Sequence, residues 1–180
     1  YPQPNYSHFT ATDIWYTADV NPSLARTGWL GRGCDQGFKG NLDPKLAIAV
    51  GTSKTPRVLS GQEHPGLSFG SPESYRYVAD RGDMKRKEAF QKLNQACGEG
   101  VASNMDFITR TAANANATSD LIRKVAADYK PKAEYPKTRL ATNLRVIAAL
   151  INAGLSTRIY YTEIGGFDTH SRQRTAHDNL

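Results

Sequence analysis

The stretch TRLATNLRVIAALINAGLSTRIYYTEIGGFDTH, residues 138–170, decides the fold that this sequence predicts. Its first half carries an apolar residue at every third or fourth position: Leu140, Leu144, Ile147 and Ile151. That spacing places all four on one side of a helix, which we expect to run over residues 138–153 with one apolar face. Gly154 follows at the position where a left-handed glycine commonly ends a helix.

A strand is predicted directly after this helix, because residues 157–164 are rich in β-branched and aromatic side chains. The loop of residues 165–170 leaves that strand, and a second helix is predicted from residue 171 onward. A helix, a strand and another helix in this order are typical of an α/β fold. We therefore expect a mostly parallel sheet flanked by helices.

The first third of the chain carries weaker signals. Residues 9–18 predict a helix, for which Ser7 or Thr10 is a suitable N-cap. Residues 28–32 predict either a tight turn or the opening of a short helix. Residues 46–50 form a short apolar run that predicts a buried strand.

The middle of the chain predicts a short strand, a long loop and a helical insert. Residues 57–59 predict a second, shorter strand, and residues 60–75, which are rich in Gly and Pro, predict a long loop. Residues 83–130 carry further helical spacing and predict a helical insert. All of residues 1–180 are expected to belong to a single domain.

The composition excludes several classes of protein. Apolar residues make up 39% and charged residues 22% of the 180 positions, which is typical of a globular chain. The longest nearly apolar run, residues 146–153, is far shorter than the ~20 residues of a membrane-spanning helix. Two cysteines are too few for a disulfide-dense mini-domain, and no repeat indicates a collagen-like or coiled-coil protein.

The charge favours an anionic small substrate over nucleic acid. With 23 Lys and Arg against 17 Asp and Glu, the net charge is +6, and such a balance attracts anions. The positive residues are scattered, however. The densest cluster, residues 84–87, is flanked by Asp83 and Glu88 and is typical of a solvated helix face. Nucleic-acid binding is therefore not expected.

The sequence predicts an incomplete sheet. Few strong strand signals occur, although a sheet needs several strands. We therefore expect this chain to be a piece of a longer domain, with its core completed by the rest of the same protein or by a partner chain. Cys34 and Cys97 leave two alternatives open, a disulfide in an exported protein or two buried thiols.

Candidate metal ligands follow the strand predicted over residues 157–164. Open α/β sheets bind ligands beyond the carboxyl ends of their strands. Asp168 and His170 stand at that place, and His177 lies in the helix that follows. Carboxylate and imidazole groups together suit Zn²⁺ or a similar divalent metal. The alternative is that Asp168 caps the next helix and His170 is simply exposed in its first turn.

Ser7 and His8, just ahead of the first predicted helix, form a second candidate group. A hydroxyl beside an imidazole at this place fits an activated nucleophile or an anion-binding helix N-terminus. The alternative is that Ser7 is only an N-cap, because adjacent side chains diverge. Of the other conspicuous residues, His64 is expected at the surface, and Trp15 and Trp29 are expected in the core.

Six stretches of the sequence form one ordered set: YPQPNYSHF at 1–9, DIW at 13–15, TA at 17–18, GWLGR at 28–32, GLSTRIYY at 154–161 and GGFDTH at 165–170, followed by Gln173 and His177. Together they resemble one bacterial family of exported proteins, the domain-of-unknown-function family 1501. The resemblance covers almost the whole chain in order, although residues 34–130 match only in general character. The GGFDTH segment is its most specific part.

That family is similar to the alkaline phosphatase and sulfatase superfamily, which implies a central sheet, helices on both faces and divalent metals at the strand ends. The resemblance implies that Asp168 and His170 stand at ligand positions, with His177 as a further candidate. It places Ser7 and His8 in the segment that resembles the nucleophile region. It also implies a twin-arginine export signal ahead of this sequence and a periplasmic, cell-envelope or extracellular location.

Two departures from the superfamily pattern limit what the resemblance implies. No Cys-x-Pro-x-Arg occurs in the 180 residues, which disfavours a formylglycine sulfatase. The early Asp and the late Asp-His-Gly that supply further metal ligands are also not among them. This piece alone is therefore not expected to assemble a complete site.

Two functions follow as expectations. The first is an exported, metal-dependent hydrolase of phosphate or sulfate esters, in which Ser7 attacks while Asp168 and His170 hold the metal. The alternative is a non-catalytic exported protein that keeps the fold for binding or for cell-envelope assembly. The first depends on analogy, because a shared fold does not prove shared chemistry.

Overall fold

The computed structural model describes residues 6–23, 25–41, 43–76 and 117–178, together with the helical residues 85, 86, 88, 89 and 92. Within these ranges the chain forms a three-stranded parallel sheet with helices packed on both faces. The α/β class and the parallel sheet predicted from the sequence are therefore confirmed.

The sheet consists of β1 (Ala47–Val50), β2 (Leu67–Phe69) and β3 (Ile159–Tyr161), in the order β2–β1–β3. Ile48 in the central strand stands opposite Leu67 on one side and opposite Tyr160 on the other. All four residues of β1 are buried, as expected for a parallel strand covered on both faces. The buried strand predicted over residues 46–50 is confirmed.

Two helices and a 3₁₀ turn cover one face of this sheet: α1 (His8–Thr17), α2 (Trp29–Gly37) and the turn Arg57–Leu59. Ala47 and Ala49 of β1 belong to the cluster on this side, together with Cys34, Val58 and Leu59. Small side chains on the strand let the overlying backbone approach the sheet closely. The position of α1 above the sheet matters for the candidate site.

A glycine contact joins α2 to the segment after the 3₁₀ turn. A Cβ atom on Gly31 would lie 2.2 Å from the backbone nitrogen of Gly61, which no side chain tolerates without movement. Gly28, the N-cap of α2, donates its N–H to the Ser60 carbonyl at 2.8 Å. Of the two interpretations of residues 28–32, the structure confirms the opening of a helix.

Two helices cover the opposite face: α3, helical over residues 117–128, and α4 (Arg139–Asn152). Ile48 and Val50 pack on this side with Phe69, and Ile122 and Leu150 are completely buried against them. Burying an aliphatic or aromatic side chain of this size stabilises a fold by about 1.5–3 kcal/mol. This cluster therefore fixes α3 and α4 to the sheet.

The ends of α4 agree with the sequence, but its buried face does not. Thr138 caps the helix with its side chain, and Gly154 follows it with φ +70°, so both predicted ends are confirmed. Leu144 and Ile151, however, are 43% and 58% exposed, whereas Leu150 is completely buried. The prediction of one apolar face through Leu144 and Ile151 is wrong. Ile147 of the predicted face does pack against the buried cluster, so the buried side of the helix is turned from the predicted one toward Leu150, which periodicity alone does not identify.

Three shorter predictions also need correction. Residues 57–59 form a 3₁₀ turn and not a strand, because the Ser60 N–H bonds back to the Arg57 carbonyl. The loop predicted over residues 60–75 contains β2, whose pairing with β1 no local pattern reveals. The strand predicted over residues 157–164 is shorter, and its three residues are only partly buried.

The tryptophans are also placed differently from the expectation of a core position. Trp15 is 72% exposed and Trp29 is 43% exposed. In α1 the neighbouring Tyr16 packs against the cluster below the helix and Thr17 is buried. Trp15 therefore points away from the sheet, because successive helical residues are separated by 100°.

The remaining segments are the predicted helical insert, the link between α3 and α4, and the chain after β3. Most of residues 83–116 in the predicted helical insert lie outside the described residues, while Lys85 and Arg86 are helical and exposed. Residues 129–136 interrupt the helices between α3 and α4. A short helix, α5 (Gln173–His177), follows β3 and has no buried residue. None of the helices in the described ranges has the length and hydropathy that a bilayer crossing requires.

Candidate functional site

The loop that leaves β3 brings together three of the residues predicted from the sequence. Oδ1 of Asp168 lies 2.9 Å from Nε2 of His170. Oδ2 of the same carboxylate lies 3.5 Å from Nε2 of His8, the first residue of α1. One carboxylate therefore contacts two imidazoles, each through a different oxygen. The close spacing of Asp168 and His170 indicated the first contact, whereas no sequence pattern indicated the second.

The contact arises because α1 and the loop after β3 run side by side in opposite directions. At one end the hydroxyls of Tyr16 and Tyr161 lie 3.0 Å apart, and at the other end His8 meets Asp168. The helical rise of 1.5 Å per residue places His8 and Tyr16 about 12 Å apart along the axis. The chain from Tyr161 to Asp168 readily spans that distance.

Tyr161 is held as a hydrogen-bond donor at the start of this loop. Burial raises the pKa of Tyr161, and its hydrogen bonds with Tyr16 and Glu163 raise it further. The Tyr161 hydroxyl donates to Oε2 of Glu163 at 2.9 Å. None of these three residues was predicted from the sequence to belong to a site. The Tyr-x-Glu spacing at a strand end was an available signal, because residues two apart share one side of a strand.

A second connection at the same edge of the sheet involves α4. The Asn143 side-chain amide donates to Oγ1 of Thr162 at 3.0 Å, directly after β3. Gly51, directly after β1, has φ +91°, and a Cβ there would lie 2.1 Å from Nδ2 of Asn143. The Arg139 guanidinium also donates to the Gly51 carbonyl. These contacts join the carboxyl ends of β1 and β3 through α4, and none of them was predicted from the sequence.

The spacing within the Asp168 group is compatible with two neighbouring metal ligands, but the described residues do not form a complete metal site. Two ligand atoms that each lie 2.0–2.1 Å from a tetrahedral zinc ion are about 3.3 Å apart. The distances from the Asp168 oxygens to Nε2 of His170 and to Nε2 of His8 are close to this value. Within the described ranges, however, no three His, Cys, Asp or Glu side chains are arranged to hold a metal ion. A complete site therefore needs further ligands or a movement of His8 and His170.

The group is open to solvent. The side chains of His8, Asp168 and His170 are 75%, 53% and 85% exposed. Attraction between an exposed carboxylate and an exposed imidazolium contributes at most about 1 kcal/mol. These contacts therefore do not hold the loop in place by themselves, and the side chains remain accessible to a ligand.

Ser7 is the N-cap of α1, which is one of the two alternatives that the sequence predicted for it. Its Oγ accepts the backbone N–H of Thr10 at 3.4 Å, and α1 begins at His8, one residue earlier than predicted. The first turn of a helix carries unpaired N–H groups and a partial positive charge. Because His8 contacts Asp168, this turn lies next to the carboxylate.

His177 is not brought to Asp168 by any contact within the described part of the chain. Its ring packs edge-on against Phe167, with the two ring centroids 5.7 Å apart. The N-cap of α5 is Arg172, with φ +52°, and not Asp168. The alternative in which Asp168 caps that helix is therefore wrong, and His170, although exposed as expected, lies before the first turn of α5 and not in it.

Of the two cysteines, only Cys34 belongs to the described residues. Cys34 is a free, buried cysteine in α2, and Cys97 lies outside the described residues. Burial raises the pKa of the Cys34 thiol, and the neighbouring Asp35 carboxylate raises it further. Cys34 is therefore a neutral packing residue of the α2 face.

The prediction that His64 lies at the surface is wrong. Its side chain is only 3% exposed, and Nδ1 lies 3.0 Å from Oδ1 of Asp35. Nε2 contacts the carbonyl oxygen of Asn41. The flanking Gly and Pro residues suggested an exposed loop, but both ring nitrogens are satisfied by residues that are distant in sequence.

The candidate site is separate from the clefts on the other face of the sheet. Two open clefts are lined by residues 121–136 and by the end of α4, and neither contains Asp168, His8 or His170. Comparisons with protein-family models, with curated proteins and with solved structures found no match to this chain.

Proposed function

We propose that this chain supplies part of a divalent-metal site for the hydrolysis of phosphate or sulfate esters, in an exported protein with an alkaline-phosphatase-like fold. The observation that carries the proposal is the Asp168 carboxylate, which contacts His170 at 2.9 Å and His8 at 3.5 Å. This group lies beyond the carboxyl end of a parallel strand, where open α/β sheets bind ligands.

Each residue has a defined role in this proposal. Asp168 and His170 are metal ligands, and His8 either completes that set or accepts a proton beside it. When bound, a divalent cation supplies Lewis-acid polarisation of the ester oxygen. Without a metal, each oxygen of Asp168 contacts the Nε2 atom of one imidazole. His177 has no part, because its ring packs against Phe167.

Ser7 is the proposed nucleophile, next to His8 at the start of α1. Its hydroxyl lies at a helix N-terminus, where backbone N–H groups favour an anionic ester. The net charge of +6 further favours an anionic substrate. The remaining ligands come from another segment of the same protein or from a partner chain, because the described residues contain no complete metal-binding group.

Zinc titration of the full-length protein by calorimetry, in which the remaining ligands are present, tests the ligand assignment. Asp168→Asn keeps the shape of the side chain but removes its charge, and we expect it to weaken zinc binding about 10–100-fold. Asp178→Asn is the matched control, because Asp178 is an exposed carboxylate at the end of α5. Equal zinc affinity of the parent chain and both variants would exclude Asp168 as a ligand.

Turnover of nitrophenyl phosphate and nitrophenyl sulfate by the protein tests the reaction itself. Ser7→Ala is expected to abolish hydrolysis while zinc binding persists. Hydrolysis that continues at the parent rate in this variant would contradict the nucleophile assignment.

A second candidate function is non-catalytic binding in the cell envelope. Large aromatic side chains are exposed near the same end of α1: Tyr6 is 97%, Phe9 87% and Phe167 57% exposed. Exposed aromatic groups are typical of binding surfaces. Zinc binding without turnover of either ester would favour this function over hydrolysis.

A further inference from the structure

The outer edge of β3 carries unpaired backbone groups. β3 is the last strand in the order β2–β1–β3, so only its inner side pairs with β1. The N–H of Arg158, directly before β3, donates to the Leu46 carbonyl at 2.9 Å and therefore points toward β1. Backbone groups of successive strand residues alternate in direction, so those of Ile159 and Tyr161 point away from β1. Among the described residues, no other backbone group bonds to them.

The opposite edge of the sheet presents less unpaired backbone. The Gly51 N–H bonds to the Phe69 carbonyl at 2.9 Å, so Phe69 and, two residues earlier, Leu67 direct their backbone groups toward β1. Only Ser68 of β2 directs its backbone groups outward. A row of unpaired N–H and C=O groups is a template for one more strand, and β3 carries the longer row.

α4 lies over β1 and β3 and runs in the opposite direction to these strands. At its start, the Arg139 guanidinium donates to the Gly51 carbonyl, directly after β1. One turn later, the Asn143 amide donates to Thr162, directly after β3. The chain that leaves the end of α4 leads into the start of β3. The sides of α4 can therefore be assigned to the two edges of the sheet.

α3 lies on the β2 side of α4. The Ser119 hydroxyl of α3 donates to the Tyr75 carbonyl, and the Tyr75 ring stacks on Phe69 of β2 with the ring centroids 5.4 Å apart. A cleft between the two helices is lined by residues of α3 and, on the other wall, by Ala149 and Ala153 at the end of α4. This side of α4 therefore faces α3 and β2.

Exposed apolar residues of α4 lie on its other side, toward the open edge of β3. Leu150 belongs to the side that packs on the sheet. At 100° per residue, Leu144 and Ile151 are turned about 100–120° from Leu150 in one direction, and Ala149 is turned about 100° in the other. Because Ala149 faces α3 on the β2 side, the exposed pair Leu144 and Ile151 faces past β3. We call this pair the outer stripe.

We propose that the sheet continues beyond β3: a further strand of the full-length protein pairs with the backbone of Ile159 and Tyr161, and a helix joined to that strand covers the outer stripe. Outward groups two residues apart are matched by an extended segment, whose own backbone groups have the same repeat. The outer stripe spans about 10 Å along the helix axis, which is two turns of a packed helix. A strand joined to a helix is the unit that extends a parallel sheet, so one occupant fits both features.

The parallel sheet favours a segment of the same protein over a second copy of this chain. A two-fold axis that pairs β3 with the β3 of a second copy makes the two strands antiparallel. Both strand pairs in this sheet are parallel, and the central strand is buried on both faces, as in sheets that are parallel throughout. A symmetric partner cannot supply a parallel strand at this edge, whereas another segment of the same protein can.

Amide hydrogen exchange of the full-length protein tests the edge without any variant. The Tyr160 N–H points toward β1 and serves as the internal reference. With a further strand in place, the amides of Ile159 and Tyr161 are expected to exchange at rates within about tenfold of the Tyr160 rate. Faster exchange than this at both residues would show that the edge is open and would refute the proposal.

Cysteine labelling of the full-length protein tests the cover over the outer stripe, which stays exposed in the 180-residue chain itself. After subtraction of the labelling of the parent protein, Leu144→Cys and Ile151→Cys are each expected to react at least about tenfold more slowly in the native than in the denatured protein. Leu121→Cys is the matched control, because Leu121 is 39% exposed and lies on α3, away from the outer stripe. Protection of the stripe variants no greater than that of the control would refute the covering helix.

Light scattering at the labelling concentration identifies the occupant. We expect the protection of Leu144→Cys and Ile151→Cys to persist when the protein is monomeric. Protection that is lost when a dimer is diluted into monomers would mean that a second copy covers the stripe, and would overturn the assignment to the same protein. None of these measurements involves Asp168 or Ser7, so failure of this proposal is distinct from failure of the proposed hydrolase.

Discussion

Tyr160 and Tyr161 are consecutive residues of β3, but only the Tyr161 hydroxyl has a hydrogen-bond partner among the described residues. The Tyr161 hydroxyl lies 3.0 Å from that of Tyr16 and donates to Glu163 at 2.9 Å. The Tyr160 hydroxyl is buried and has no hydrogen-bond partner among the described residues. Successive strand residues point to opposite faces of a sheet, so the two rings belong to different clusters.

Phenylalanine substitutions should therefore have opposite effects at these two positions. Tyr161→Phe is expected to lower the free energy of unfolding by about 1 kcal/mol, because it removes hydrogen bonds. Tyr160→Phe is expected to raise it by up to about 1 kcal/mol, because it removes a buried hydroxyl without a partner. Urea unfolding of both variants beside the parent chain measures the difference. Equal destabilisation by both substitutions would contradict this description of β3.

Two glycines in α2 offer a comparison within one helix. Gly31→Ala places a Cβ 2.2 Å from the Gly61 nitrogen and should be strongly destabilising, whereas a Cβ on Gly33 meets nothing within 4 Å. Gly33→Ala should stabilise the chain by about 0.5–1 kcal/mol, because alanine loses less backbone entropy in a helix. Thermal unfolding of the two variants tests the packing of α2 on residues 60–61. A stable Gly31→Ala variant would show that this packing is not as close as described.

Two leucines in α4 test which face of the helix is buried. Leu150→Ala should lower the free energy of unfolding by about 2–5 kcal/mol, because it leaves a cavity beside β1. Leu144→Ala, at a position 43% exposed, should change it by only about 0.5 kcal/mol. Chemical denaturation monitored by circular dichroism measures both. If Leu144 proved as sensitive as Leu150, the face predicted from periodicity would be the correct one.

Acid should release a contact between the starts of β1 and β3. Partial burial would raise the pKa of Asp43, but hydrogen bonds from Lys45 and Ser156 lower it overall, and the Ser156 hydroxyl donates to Oδ2 at 2.6 Å. The stabilisation is therefore complete at neutral pH and disappears as the pH falls through the lowered pKa, below about 3.9.

Asp43→Asn tests this acid response. We expect the variant to be less stable than the parent at neutral pH and nearly as stable as the parent at the acid end. Unfolding free energies measured from neutral pH into acid give the difference between the two curves. A difference that stays the same at every pH would mean that the charge of Asp43 does not contribute.

The sequence by itself determined those elements that depend only on neighbouring residues in the chain. The apolar spacing and Gly154 set the bounds of α4 close to residues 138–153, and the apolar run at residues 46–50 specified the central strand. These predictions succeeded because capping and burial of a central parallel strand depend on neighbouring residues. The contact of Asp168 with His170 is also local, since the two residues lie two positions apart after a strand; their role as metal ligands stays a prediction.

Only the tertiary structure decided which distant residues meet. It brought His8 to Asp168, enclosed His64 between Asp35 and Asn41, and turned Leu144 outward. Helical and strand periods describe a residue's direction relative to its own element, and not which element will cover it. That choice depends on the packing of α1 along the loop after β3 and of α2 on residues 60–64, where close backbone approach and long-range hydrogen bonds decide the outcome.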